Sequence, residues 1–166
     1  MNTAQTIAAV GFDILNLTAP VDLAAPVTFD VNVLFNDDGD AIASLVIVGK
    51  NSPEYQAESH ALRAEGHKRA AKRQTAIDAK TDEGAVKLVD LIDGNQERLA
   101  LAVVVGWKGF TSAGVEVPFD KALVKQGFAK YPTWVDLISA ALAVDANFMK
   151  LSSPTSLPSP STSSNE

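Results

Sequence analysis

Trp134, Ile138, Ala141, Val144 and Phe148 recur at steps of three and four residues, the spacing that lines side chains along one face of an α-helix. No other feature constrains the fold as much, because a helix that is apolar on one side must pack against another apolar surface. Leu123, Val124 and Phe128 give a comparable face to a helix predicted from Lys121 to Lys130. Asp120 is its N-cap and Tyr131-Pro132 its stop, since the residue before a proline is pushed out of helical backbone. Upstream, Leu99 to Val105 reads as a helix that runs into Gly106-Trp107-Lys108 and stops near Gly109. Thr111 to Gly114 is a turn by composition, and Val115-Glu116-Val117 alternates like a short extended piece. Three short helices joined by tight turns would then close on an aromatic core of Trp107, Phe110, Phe119, Phe128, Trp134 and Phe148.

The first part of the chain has a different period. Val27, Phe29, Val31, Val33 and Phe35 alternate with Thr28, Asp30, Asn32 and Leu34, the pattern of a half-buried strand. Asn36 to Asp40 is a turn and Ala41 to Val48 a second β-rich run, so the two are predicted to form a hairpin. A lone hairpin is marginal in water and needs a helix or a further strand over its apolar face. The residues up to about Asn16, with Ile7, Val10, Phe12, Ile14 and Leu15, fit a strand or a short helix equally well. The acidic turn resembles part of a calcium loop, but strand residues Ile42 to Val48 occupy the positions where such a loop needs its glutamate.

Ser52-Pro53-Glu54 starts a helix: a hydroxyl cap, a proline at the first helical position, and an acid near the positive end of the helix dipole. Its predicted run reaches about Lys80. The apolar face is poor, with Tyr55, Leu62 and Ile77 far apart, alanines between them and Gly66 near the middle. Such a helix is either a solvated arm or one awaiting a partner. Its cluster His67-Lys68-Arg69-Ala70-Ala71-Lys72-Arg73 is a solvated basic face or a contact for an acidic protein segment, and no aromatics are interleaved for stacking on bases. Thr81-Asp82-Glu83 caps the next helix, where Val86, Leu88, Val89, Leu91 and Ile92 are dense enough to be core. Asp93-Gly94-Asn95 reads as a kink or a turn in it.

Composition narrows the function classes. The net charge of −6 argues against general nucleic-acid binding, though it is uneven: residues 1–49 hold six Asp and no Lys or Arg, whereas residues 50–80 hold seven Lys or Arg against four acids. Without cysteine there is no disulfide framework and no thiolate metal site. The absence of Lys or Arg before Lys50 leaves no signal-peptide n-region, and no uncharged apolar run approaches the roughly 18–20 residues of a membrane span. His60 and His67 share a helix face about 10 Å apart at ~1.5 Å per residue, too far for one metal ion. Ser59 and His60 are helix neighbours that point about 100° apart and so cannot form a nucleophile pair. There is no zinc-protease, nucleophile-elbow, phosphate-loop or dinucleotide motif. The expectation is a protein that is not an enzyme and uses no cofactor or metal.

A helix ending in Gly106-Trp107-Lys108-Gly109-Phe110, a turn, the restart Val117-Pro118-Phe119-Asp120, and an amphipathic last helix ending at Asn147-Phe148 before a Ser-rich tail resemble the tail assembly chaperones of long-tailed (siphovirus-type) bacteriophages. The resemblance covers Leu99 to about Ser153. Before that it extends only to the outline of a hairpin followed by Val48-Gly49-Lys50-Asn51-Ser52-Pro53 and a charged helix. It implies a chaperone that coats the long helical tape-measure protein and delivers it to the major tail (tube) protein. Such a chaperone would act in the host cytoplasm and be absent from the mature virion, and in some members a frameshift appends a second domain. Two other functions fit the residues: a structural tail, virion or scaffold component, and a small nucleic-acid-binding regulator using His67 to Arg73.

The predicted fold class is therefore α+β, an N-terminal β-hairpin followed by a mainly helical C-terminal lobe. Its predicted parts are a β-rich hairpin lobe (1–50), a charged helical arm (51–81), a helical lobe (82–150) and a disordered Ser/Pro tail (151–166), with everything before the tail in one compact unit. Candidate protein-binding residues lie on the arm: Tyr55, Leu62, Lys68, Arg69, Lys72 and Arg73. Its incomplete packing is also compatible with a homo-oligomer. Neither nucleic acid nor membrane is expected as a partner.

Overall fold

A computed structural model describes residues 27–72 and 77–148, so the readings made for residues 1–26, for Arg73 and for the C-terminal tail lie outside the described residues. The fold is α+β, as the residue patterns predict. Strands β1 (Thr28–Phe35) and β2 (Ala41–Val48) form the antiparallel hairpin, with Thr28 opposite Val48 and Phe35 opposite Ala41. The acidic turn closes on itself: the Asn36 side chain accepts the Asp40 N–H at 2.7 Å, and the Asn36 carbonyl accepts the Gly39 N–H. A register shift between Asn32 and Phe35 breaks the predicted alternation. Leu34 turns in to pack against the core, and Phe35, expected on the apolar face, is left exposed.

Helix α1 (Pro53–Ala71) begins where the capping residues predict, with Ser52 Oγ accepting the Tyr55 N–H. It is shorter than the expected run to Lys80. Ile77 to Lys80 are not helical, because Asp78 is committed to a turn: its carbonyl accepts from the Thr81 N–H and hydroxyl, and its side chain accepts from the Lys80 N–H. Thr81 then caps α2 (Asp82–Val103) through the Gly84 N–H. Against expectation, α2 passes through Asp93-Gly94-Asn95 without interruption. A glycine inside a helix costs only about 1 kcal/mol, too little to break a helix whose next turn is anchored. The anchor is Gln96, whose Nε2 donates to Ser139 Oγ at 3.0 Å.

The larger correction follows. Val104 to Lys108, expected to continue the helix, form strand β3 (Val104–Lys108), which pairs antiparallel with β2 to give a sheet of order β1-β2-β3. Three consecutive valines and a glycine are poor helix formers, and the hairpin has a free edge; pairing to it outweighs one more helical turn. The chain then passes through a small hairpin of β4 (Thr111–Ser112) and β5 (Val115–Glu116). Gly109 permits the close approach at the end of β3. Its φ is +77°, and a Cβ there would fall 2.0 Å from the Ile42 carbonyl oxygen.

Helices α3 (Lys121–Lys130) and α4 (Thr133–Ala143) occur where predicted, with Asp120 capping α3 by accepting the Ala122 N–H. They pack on α2 and on each other, and α4 also packs on β1. Val31, Val33, Leu45, Ile47 and Val48 of the sheet, Ala100, Val103 and Val104, Val124 and Phe128 of α3, and Trp134, Ile138 and Leu142 of α4 form one core. α4 is shorter than its apolar period. It ends at Ala143, so Val144 is exposed, and Phe148, beyond a short 3-10 turn, meets Phe29 edge-on at 6.0 Å.

Of the predicted aromatic core, Phe128 and Trp134 are buried, while Trp107, Phe110 and Phe148 are half-buried at its margin. Phe119 is the exception, exposed and set edge-on to Trp107 at 5.6 Å. Phe110 links the two indoles, 4.9 Å from Trp107 and 5.9 Å from Trp134, and Trp107 Nε1–H donates to the Val117 carbonyl at 2.8 Å.

Candidate protein-binding face on helix α2

Val86, Leu88, Val89, Leu91 and Ile92, read from the sequence as core, are not core. Val86 is 60% exposed, Leu88 36%, Val89 55% and Ile92 54%, and Leu91 is half-buried. Ala85, Leu88, Val89, Ile92, Gln96, Leu99, Ala100 and Val103 share one face at three- and four-residue steps. Ala100 and Val103, in the second half of that face, are buried, and Gln96 there bonds to α4. The first half faces solvent. Length explains the division: α2 has 22 residues and spans about 33 Å, whereas α4 has 11 and spans about 16 Å, so α4 cannot cover both halves.

Where the bare and covered halves meet, a shallow groove of about 160 Å³ opens among Lys50, Tyr55, Gln96, Leu99, Ser139 and Leu142. Its lining is mainly apolar, and Lys50 is its only charged residue. The groove can take an apolar side chain. It brings no acid, base or nucleophile into convergence.

The two flanks of the face differ. On one, α1 is tied to α2 by Arg98, whose Nε donates to Glu58 at 2.7 Å and whose guanidinium nitrogens donate to Glu65 at 2.8 and 3.1 Å. The hydrogen bond from Arg98 holds the Glu65 carboxyl below its ordinary range, and the charges of Arg98, Arg69 and Lys68 add to the effect. On the other flank, at ~100° per residue, Asp82 and Asp93 border the face, and Glu97 and Asp90 lie further round toward the back of the helix. None of these four makes an ion pair or side-chain hydrogen bond among the described residues. Glu83, at the edge of the same flank, is paired with Lys87.

The candidate residues on the arm are distributed more widely than predicted. Tyr55 lines the groove, Leu62 is half-buried, Lys68 is exposed, and Arg69 is half-buried. The Lys72 backbone N–H caps α1 on the Arg69 carbonyl. None of α1's residues is buried, which fits the prediction of an under-packed arm. Sequence reasoning missed the bare half of α2 because dense apolar residues on a helix usually mark core. What leaves the first half bare is that α4, the helix seated on this face, is half as long as α2.

His60 and His67 are both exposed on α1, and among the described residues no group of three or more His, Asp or Glu side chains could hold a metal ion. Among the same residues no helix is long and apolar enough to cross a membrane. Comparison with protein-family models, curated proteins and solved structures finds no match.

Proposed function

We propose that this protein is a non-enzymatic assembly chaperone of a long-tailed bacteriophage, one that binds the tape-measure protein in the host cytoplasm, recruits tail-tube subunits to it, and is left out of the finished particle. The observation that carries the reading is the bare half of α2. Leu88, Val89 and Ile92, 36–55% exposed, leave unrealised a good part of the ~1.5–3 kcal/mol that each would gain on full burial. A contiguous apolar stripe on a rigid helix suits the apolar face of a client helix. The choice of client rests on the sequence resemblance alone, carried by Gly106-Trp107-Lys108-Gly109-Phe110 and Val117-Pro118-Phe119-Asp120. Each contact of this size is weak, and a long client offers many, so holding it in solution would rest on repeated binding along its length.

The test is co-expression with the tape-measure protein of the same phage. The client should stay soluble and co-elute with this chain, and should precipitate when Val89→Glu replaces the wild type. A client that precipitates equally with and without the chain would end the proposal.

A further inference from the structure

Resting on the protein-binding reading, we propose that the bare face of α2 takes a single amphipathic helix whose apolar stripe is bordered by lysines or arginines. The apolar part is set by Ala85, Leu88, Val89 and Ile92, two turns that lead toward the groove beside Gln96. The charge preference comes from the border. Asp82 and Asp93 stand along one side of the stripe with no ion pair among the described residues, and α1 occupies the other side. A partner helix seated on the stripe must run beside those carboxylates. Cationic side chains would pair with them, and anionic ones would be placed against like charge, which costs specificity and association rate. Two copies of this chain joined antiparallel by the same face about a two-fold axis would set acidic flank on acidic flank, so the charge pattern favours a different chain.

The experiment uses the full chain and three labelled peptides of about 18 residues. One carries a leucine stripe flanked by lysines, one the same stripe flanked by glutamates, and one the lysine peptide's composition shuffled to remove the stripe. By fluorescence anisotropy the lysine-flanked peptide should bind at least about tenfold more tightly than either control, with an advantage that shrinks as salt rises. Val89→Glu should abolish that binding. Asp82→Lys combined with Asp93→Lys should transfer the preference to the glutamate-flanked peptide, which a merely destabilised variant would not do. Equal binding of the two striped peptides, binding that survives Val89→Glu, or sedimentation showing a dimer that Val89→Glu dissolves would overturn the proposal. The two readings fail separately. A client kept soluble without any peptide preference removes only the charge rule, and a clear preference without rescue of the tape-measure protein removes only the chaperone assignment.

Discussion

Replacing Ile138 by alanine is expected to cost about 2–5 kcal/mol, because the side chain is fully buried between helix and sheet and its removal leaves a cavity. Val89→Glu is expected to change stability by no more than about 0.5 kcal/mol, since its side chain already faces water and glutamate is a good helix former. Urea denaturation of the two variants measures both. A Val89→Glu loss comparable to that of Ile138→Ala would return α2's first half to the core. The tryptophans divide in the same way. Trp134→Ala should cost about 3–5 kcal/mol and Trp107→Ala less, as Trp134 is only 6% exposed whereas Trp107 lies half-buried at the margin. Trp134 is also packed so closely that a Cβ on Gly127 would lie 2.6 Å from its ring.

The elements depend on one another unequally. α2 is a continuous helix through Gly94, and a Cβ there would meet nothing within 4 Å. Gly94→Ala should therefore stabilise the protein by about 0.5–1 kcal/mol, read as a raised urea midpoint, through helix propensity and a less flexible unfolded chain. A turn at Gly94 would give the opposite sign. α1, with no buried residue, is tied to α2 by the ion pairs of Arg98 with Glu58 and Glu65, so Arg98→Met should speed hydrogen exchange of the α1 amides while leaving the sheet protected. The pH dependence follows from Glu65. Its folded pKa lies below the ordinary value of 4.5, chiefly through the Arg98 hydrogen bond. The contribution is thus complete above about pH 4.5 and is lost as pH falls through the lowered folded value. Exchange of α1 should rise in that acid window in the wild type, and this rise should be largely absent in Arg98→Met.

Across the whole molecule, β3 is the piece that joins what the residue patterns separate. It leaves α2 without a loop and completes the sheet of the N-terminal hairpin, so the described residues fall in one compact unit with one core. Far-UV circular dichroism, reporting the helices, and tryptophan fluorescence, reporting Trp107 and Trp134, should accordingly give coincident unfolding midpoints. Two separated transitions would mean that hairpin and helical lobe fold independently.

What the sequence by itself determined was carried by contacts a few residues apart, though the equally local turn at Asp78 escaped it. Ser52, Thr81 and Asp120 cap their helices from two or three residues away, Asn36 closes the hairpin turn, and Tyr131-Pro132 ends α3. Only the tertiary structure decided that Val104 to Lys108 would be a strand, that Gly94 would stay helical, and that Val86, Leu88, Val89 and Ile92 would face water. The physical reason is one of reach. A cap depends on the backbone next to it, whereas burial and strand pairing depend on which distant element arrives. Here β2 offered Val104 an edge, and α4 was too short to offer Val89 a cover.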